Sequence, residues 1–191
     1  QYLCTPFSRD GADLLDEINV DFFKIGSGEL TNLPLIEHVA KKGKPMIVST
    51  GMSELDEIKE TVNLIKEIKT PVVLTHCVSV YPCPYELTNL RVIPKLNKIF
   101  GIPVGLSDHS NSVYTSFGAV AHGACIIEKH FTLDKNAEGP DHASSIEPKE
   151  LKELVNGSRA IYLANGEEKK IFNKEKQILV WARESVVSET D

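Results

Sequence analysis

The sequence predicts an α/β fold of the (β/α)8 (TIM) barrel kind, on three observations. Short apolar runs alternate with longer helical patterns along almost the whole chain, which is typical of βα units around a parallel sheet. Polar residues follow each apolar run. Successive runs lie roughly 20 to 30 residues apart, enough for one strand, one helix and two loops. An open, doubly wound sheet is the alternative, because it is built from the same units.

The predicted strands are short apolar runs that end at polar residues. In a barrel the active site lies at the carboxyl ends of the strands, so the residues after each run are the first candidates for a site. Six runs qualify, namely Tyr2–Thr5, Phe22–Ile25, Pro45–Ser49, Val72–His76, Pro103–Leu106 and Cys125–Lys129.

Four helices are predicted between or after these strands from apolar residues spaced three to four apart and from end signals. A polar residue or a Glu-Pro pair marks each start, and a glycine or a basic residue marks most of the ends. The starts are Asn32, Ser53, Asn111 or Ser112, and Glu147 with Pro148, and the ends are Gly43, Lys69, Gly123 and about Leu163.

A closed barrel needs eight strands and about 250 residues, whereas six strands and 191 residues are present. The chain opens inside the predicted strand Tyr2–Thr5. We therefore expect a barrel fragment that carries strands three to eight. The outer edges of Tyr2–Thr5 and Cys125–Lys129 would lack partners if the fragment stood alone, and such edges favour association.

Composition narrows the possible partners. The net charge of −6 argues against a nucleic-acid or anionic-membrane surface and favours a small-molecule partner. No apolar run approaches the ~20 residues that span a bilayer. The four cysteines form no C-x-x-C pair, so a disulfide framework or cysteine zinc site is not expected, and a reducing cytoplasm fits best.

A set of hydroxyl and lysine side chains at the predicted strand ends suggests an anion site. Lys24-Ile-Gly-Ser-Gly28 puts a point charge beside a flexible loop with free amides, which suits phosphate or carboxylate. Taken singly, each such loop is equally well explained as a turn that needs glycine. On a barrel, however, they converge on one place, which makes the following residues candidates for substrate binding: Thr5, Lys24, Ser27, Ser49, Ser79 and Ser107.

Two histidines suggest a metal site. His109 and His130 follow neighbouring predicted strands, where both imidazoles can reach one divalent ion. Two nitrogen ligands with open positions favour a catalytic Mn2+ or Mg2+ over a closed zinc site. Asp141, in the loop after His130, is a candidate proton acceptor or outer-shell partner. The alternatives are hydrogen-bonded structural histidines and an aspartate that caps a turn.

Six ordered motifs closely resemble the sialic acid synthase family over residues 2 to about 165. They are Lys24-Ile-Gly-Ser-Gly-Glu29, Val48-Ser-Thr-Gly-Met52, His76-Cys-Val-Ser-Val-Tyr-Pro82, Gly105-Leu-Ser-Asp-His109, Glu128-Lys-His-Phe-Thr-Leu-Asp134 and Gly139-Pro-Asp-His-Ala-Ser-Ser145. The resemblance implies a barrel enzyme that condenses phosphoenolpyruvate with N-acetylmannosamine or a related N-acetylated aldose, releases phosphate and acts as a homodimer.

The resemblance also implies roles for individual residues. Lys24 and the serines at positions 27, 49 and 107 would hold phosphoenolpyruvate, and His109 and His130 would ligate the metal. Tyr81 and Ser79 would line the sugar side, with Asp141 near the aldehyde. Some members carry asparagine at the position of Ser79.

The chain departs from the family pattern at both ends. The family's first two strands, with a catalytic glutamate and a second phosphate-binding lysine, have no counterpart here. Residues 1–165 thus correspond to a partial barrel, and 166–191 to a helical segment and linker towards a missing antifreeze-like domain. We expect this polypeptide alone to have little or no synthase activity. The alternatives are a synthase of 3-deoxy sugar acid phosphates and a non-catalytic binding module.

Overall fold

One parallel sheet organises residues 2–183, the part of the chain that the computed structural model describes. Its strands are β1 (Phe23–Ile25), β2 (Met46–Ser49), β3 (Val72–Cys77), β4 (Val104–Asp108) and β5 (Ile127–Lys129). They pair in the order β1-β2-β3-β4-β5, and every pair is parallel. A doubly wound sheet reverses its strand order part-way, and this sheet does not. The architecture is therefore a parallel half-barrel.

Helices alternate with the strands as expected for βα units. From α2 onwards, one helix follows each strand, and α7 comes after the last unit. The bounds are α1 (Arg9–Glu17), α2 (Leu33–Ala40), α3 (Leu55–Ile68), α4 (Val92–Phe100), α5 (Tyr114–Ala121), α6 (Pro148–Ala164) and α7 (Asn173–Arg183). Short 3-10 turns lie at Ser27–Glu29, Tyr85–Leu87 and His142–Ser144. In this part of the chain no helix is both long and apolar enough to cross a membrane.

The predicted strand Tyr2–Thr5 is wrong. The segment has no strand conformation, and Tyr2 is 64% exposed. Thr5 lies beside Gly26, in the loop just past the end of β1, where no strand remains for it to pair with. Strand β1 is therefore the edge strand that we expected Tyr2–Thr5 to be. Its outer edge has no ladder partner among residues 2–183.

The helix starts match the prediction in part. The Asn32 side chain accepts a hydrogen bond from the amide of Leu35, and Glu147 caps α6, as expected. The cap of α3 is Glu54 rather than Ser53, because Glu54 and the glutamate three residues later bond each other's backbone amides as a capping box. Helices α1 and α4 were not predicted. The predicted helical segment and linker, residues 166–191, lies partly outside the described residues.

The sheet is apolar on one face and polar on the other. Side chains alternate along each strand, so residues paired in a parallel register share a face. The helix-covered face buries Phe23, Ile25, Val48, Leu74 and Leu106 in one cluster with apolar residues of helices α1 to α5. The opposite face carries Ser49 paired with Thr75, and Cys77, Ser107 and Glu128 in register across β3, β4 and β5.

Candidate active site

A cavity of about 650 Å³ opens over the polar face at the carboxyl ends of the strands. A cleft of about 720 Å³ lies between α4 and α5, but no predicted site residue lines it. By contrast, all the predicted site residues except Asp141 line the cavity at the strand ends, namely Thr5, Lys24, Ser27, Ser49, Ser79, Tyr81, Ser107, His109 and His130. These strand-end residues therefore lie around one cavity, as the barrel topology predicted.

Lys24 lies at the base of this cavity and is 7% exposed. Its ammonium group donates a hydrogen bond to the Ser49 hydroxyl, which in turn lies 2.7 Å from the Thr75 hydroxyl. The same ammonium lies 3.3 Å from the carboxylate of Glu128, on the far strand of the half-barrel. A buried lysine needs such partners, because an unpaired ammonium is costly to desolvate.

Glu128 is a site residue for which the sequence predicted no role. Its carboxylate accepts a hydrogen bond of 2.6 Å from the Ser107 hydroxyl and pairs with Lys24. An anion that binds to Lys24 and Ser107 therefore has to displace Glu128 from both. The signal was present in the sequence, since Glu128 lies two residues before His130 and both line the cavity.

The loop after β2 contributes backbone to the cavity. The Ser27 hydroxyl accepts a hydrogen bond of 3.0 Å from the amide of Gly51. A Cβ atom at Gly51 would lie 2.7 Å from the Ser27 oxygen and still closer to the Ser79 oxygen. Only glycine fits here without displacing those hydroxyls, so the serines and the bare backbone form one polar surface.

Cys77 also lies on the cavity floor. Its sulfur is 3.5 Å from the Ser27 hydroxyl and 3.9 Å from Nδ1 of His109. Burial alone would raise the pKa of this thiol, but these two contacts outweigh it and the pKa lies below its ordinary value. Because the predicted strand stopped at His76, Cys77 was missed. His76 itself faces the helices, with Nε2 2.8 Å from the Thr88 carbonyl.

His109 and His130 come together at the cavity wall. Their ring centroids are 5.2 Å apart and nearly perpendicular, and the Tyr81 ring lies 4.1 Å from that of His109. Nδ1 of His109 is 2.8 Å from the Val78 carbonyl, so this nitrogen carries the hydrogen and Nε2 is free to bind a metal. Burial and the neighbouring His109 lower the pKa of His130, which favours the neutral form that ligates metals.

The two imidazole rings thus bring two nitrogen donors to one side of the cavity. Within residues 2–183, no group of three or more histidine, cysteine, aspartate or glutamate side chains is arranged to hold a metal. Asp141 lies at the rim, with its side chain 60% exposed and Oδ2 3.9 Å from Nδ1 of His130. Its loop is fixed by the Ser145 hydroxyl, which donates to the Asp141 carbonyl at 2.7 Å.

A parallel half-barrel with polar side chains gathered at its carboxyl ends defines the class of the (β/α)-barrel proteins, whose active sites occupy that face. Within this class, the chain belongs to the NeuB family, whose family model matches residues 1–170. The resemblance to sialic acid synthases inferred from the motifs is confirmed.

Several curated relatives carry synthase names. The chain is 44% identical to N,N'-diacetyllegionaminic acid synthase of Campylobacter jejuni, over 100% of this chain and 58% of that protein. It is 43% identical to the N-acetylneuraminate-9-phosphate synthase of Homo sapiens, over 84% of this chain and 46% of that protein. The chain therefore spans about half the length of these relatives.

Solved structures agree with the fold. The N-acetylneuraminic acid synthetase of Leptospira borgpetersenii superposes with a TM-score of 0.87 at 36% identity, covering 95% of this chain and 64% of that one. A phospho-2-dehydro-3-deoxyheptonate aldolase from Thermotoga maritima, 18% identical with a TM-score of 0.73, shares the fold alone.

Proposed function

We propose that the protein is a nonulosonic acid synthase that condenses phosphoenolpyruvate with N-acetylmannosamine or a related N-acetylated aldose and releases phosphate. The carrying observation is that the candidate phosphate-binding residues and the histidine pair line one cavity. In this reaction carbon 3 of phosphoenolpyruvate attacks the sugar aldehyde, water adds at carbon 2, and phosphate leaves with carbon–oxygen cleavage. The synthase names of relatives at 43 and 44% identity support the same class.

The phosphate end of the substrate would bind at Lys24. The lysine ammonium supplies charge, the hydroxyls of Ser27, Ser49 and Ser107 supply hydrogen bonds, and Glu128 swings away from Lys24 to admit the anion. Among the described residues that line the cavity, Lys24 is the one lysine or arginine, and the carboxylate of Glu128 offsets its positive charge. One lysine is weak compensation for a multiply charged substrate. We therefore propose that residues 1–191 alone have little or no synthase activity.

The aldehyde end would lie near the histidines. His109 and His130 would hold Mn2+ or Mg2+, which when bound acts as a Lewis acid towards the carbonyl. The Tyr81 ring, packed on His109, would line that side of the cavity. Ser79 would hydrogen-bond the sugar, and Asp141, whose Oδ2 lies 3.9 Å from Nδ1 of His130, would accept a proton from a hydroxyl that enters there. We also propose that the protein is a homodimer and lies in the cytoplasm.

A 3-deoxy sugar acid phosphate synthase is the nearest rival, because it shares the reaction class. The rival's representative resembles this chain in fold at 18% identity, whereas the synthases named above reach 43 and 44%. Since the two synthase names specify different sugars at nearly equal identity, identity alone does not choose between N-acetylated aldoses.

The test is phosphate release from phosphoenolpyruvate by the full-length protein with Mn2+. N-acetylmannosamine or a diacetamido sugar should support release, and erythrose 4-phosphate should not. The Gly51→Ala variant should lose at least tenfold in activity, because its Cβ displaces the Ser27 and Ser79 hydroxyls. Gly166→Ala is the matched control, since no atom lies within 4 Å of its Cβ and Gly166 does not line the cavity. Turnover of erythrose 4-phosphate alone, or equal activity of both variants, would contradict the proposal.

A further inference from the structure

We infer that Asp108 and Lys129 are positioning residues that hold His109 and His130 at their mutual spacing from behind the sheet. The inference deepens the proposed function, on which it rests for the metal that the two histidines would bind. It depends on a buried ion pair that no ligand in the cavity can touch.

Asp108 and Lys129 form the last pair of the ladder between β4 and β5. The ammonium lies 3.1 Å from the carboxylate, and the side chains are 3% and 1% exposed for Lys129 and Asp108. Alternation along the strands puts both on the helix side, opposite the cavity that Ser107, Glu128 and the two histidines line. The pair can therefore act on the site only through the backbone.

The ion pair is joined to two further structural elements. The Asp108 carboxylate accepts hydrogen bonds of 2.6 Å from the hydroxyls of Thr115 and Ser116 on α5, and one of 2.9 Å from the Ser110 amide. The Lys129 ammonium donates to the Ser110 carbonyl. One network thus fixes the end of β4, the end of β5, the first turns of α5 and the turn that follows His109.

The histidines stand one residue beyond this pair, where the ladder has ended. Outside the ladder, the His109 carbonyl accepts from the Cys83 amide and the His130 carbonyl from the Ile146 amide, both at 2.8 Å. These bonds tie each histidine to a different loop, and neither bond joins one histidine to the other. The ion pair is the last cross-strand contact before the imidazoles, so their separation depends on it.

Loss of one partner leaves a buried charge uncompensated and can prevent folding. The informative variant is therefore the double substitution Asp108→Asn with Lys129→Met, which removes both charges and keeps the shape of the carboxylate. Removing both partners of a buried pair is often neutral for stability. The matched control is Glu37→Gln with Lys41→Met, which removes an exposed ion pair one turn apart on α2.

The test uses the full-length protein and two measurements. Crystal structures of the wild type and the double variant give the distance between the imidazole rings, 5.2 Å here, and the free Mn2+ signal in electron paramagnetic resonance gives the affinity. We expect the double variant to fold but to unfold at a lower temperature than the wild type, because buried polar groups around Asp108 lose hydrogen-bond partners. The rings should be displaced and Mn2+ bound at least tenfold more weakly. The control pair should change neither measurement.

The outcomes separate the two proposals. If the double variant folds with unmoved rings and wild-type Mn2+ affinity, the positioning role is overturned and the pair is only structural. If the rings move but even the wild type binds no Mn2+, the positioning role stands and the metal site of the proposed function fails.

Discussion

At the scale of single residues, the face on which a side chain emerges decides what it does. His76 and Cys77 are neighbours in β3, yet His76 packs under the helices and Cys77 lines the cavity. Asp108 likewise lies on the helix side of the sheet, and the next residue, His109, lines the cavity. A shift of one residue in the register of a strand would turn its site residues towards the helices and its core residues towards the cavity. The site therefore depends on the correct register of each strand.

His76 should make stability depend on pH. Burial lowers its pKa, more than its bond to the Thr88 carbonyl raises it, so the unfolded chain binds the proton first. Stability should therefore fall as the pH drops below about 6.5, by at most about 1.4 kcal/mol per pH unit for one proton. His76→Gln keeps an N–H for Thr88 and removes the titration.

Urea denaturation from about pH 7 to pH 5 checks this prediction. The wild type should lose more free energy of unfolding than His76→Gln over that interval. The comparison is needed because His130, whose pKa is also lowered, and His109, whose pKa is raised, titrate in both proteins. Parallel losses in the two proteins would contradict the prediction.

The sequence predicted the placement of most site residues, because polar groups at the ends of apolar runs are visible without a structure. Lys24, Ser107 and His109 are such cases, and all line the cavity. Glu128 and Cys77 were missed for different reasons. Glu128 was visible by alternation from His130. Cys77 depended on knowing that β3 continues one residue past His76, and strand ends are what local patterns determine least well.

At the scale of elements, capping and breaking signals explain both the successes and the failures. Helix α6 was predicted from Glu147 and Pro148, and both lie where expected. Helix α4 was not predicted, although it follows the same rules and carries a proline, Pro94, near its start. Proline is tolerated in the first turn, where its missing N–H costs nothing, and that is its position in α4.

The contact between α5 and α6 predicts an unusual effect of alanine. Gly157 in α6 faces the Phe117 ring of α5, and a Cβ there would lie 2.5 Å or less from the ring carbons. Alanine gains about 1 kcal/mol over glycine in a helix. Here the clash should exceed that gain, so Gly157→Ala should destabilise the protein by about 1 kcal/mol or more.

Thermal or urea denaturation measures this change, and Asn156→Ala is the control. Asn156 precedes Gly157 on the exposed side of the same helix, so its replacement should stay within about 0.5 kcal/mol of the wild type. An increase in stability for Gly157→Ala would show that α5 and α6 separate without cost.

At the scale of the whole molecule, the half-barrel has two strand edges and an open polar face. The outer edges of β1 and β5 have no ladder partner among the described residues. Alternation of strands and helices made this topology predictable, since a parallel pair requires a crossover. The segment Tyr2–Thr5 was not predictable in the same way, because an apolar run becomes a strand only where a neighbouring strand is within reach.

These edges predict association of the isolated polypeptide. Residues 1–191 on their own should form dimers or larger species at micromolar concentrations, because unpaired edges offer backbone donors and acceptors to a second chain. Multi-angle light scattering over a range of micromolar concentrations measures the mass. A stable monomer of residues 1–191 would contradict the prediction.

The sequential strand order also bears on how the protein is made. Each strand pairs with the one synthesised just before it, so the sheet can grow strand by strand as the chain leaves the ribosome. Lys24 emerges early and His130 late, with a delay on the order of ten seconds at ordinary elongation rates. The nascent protein therefore has its lysine end of the cavity before its histidine end, and any ligand that needs both must wait for β5.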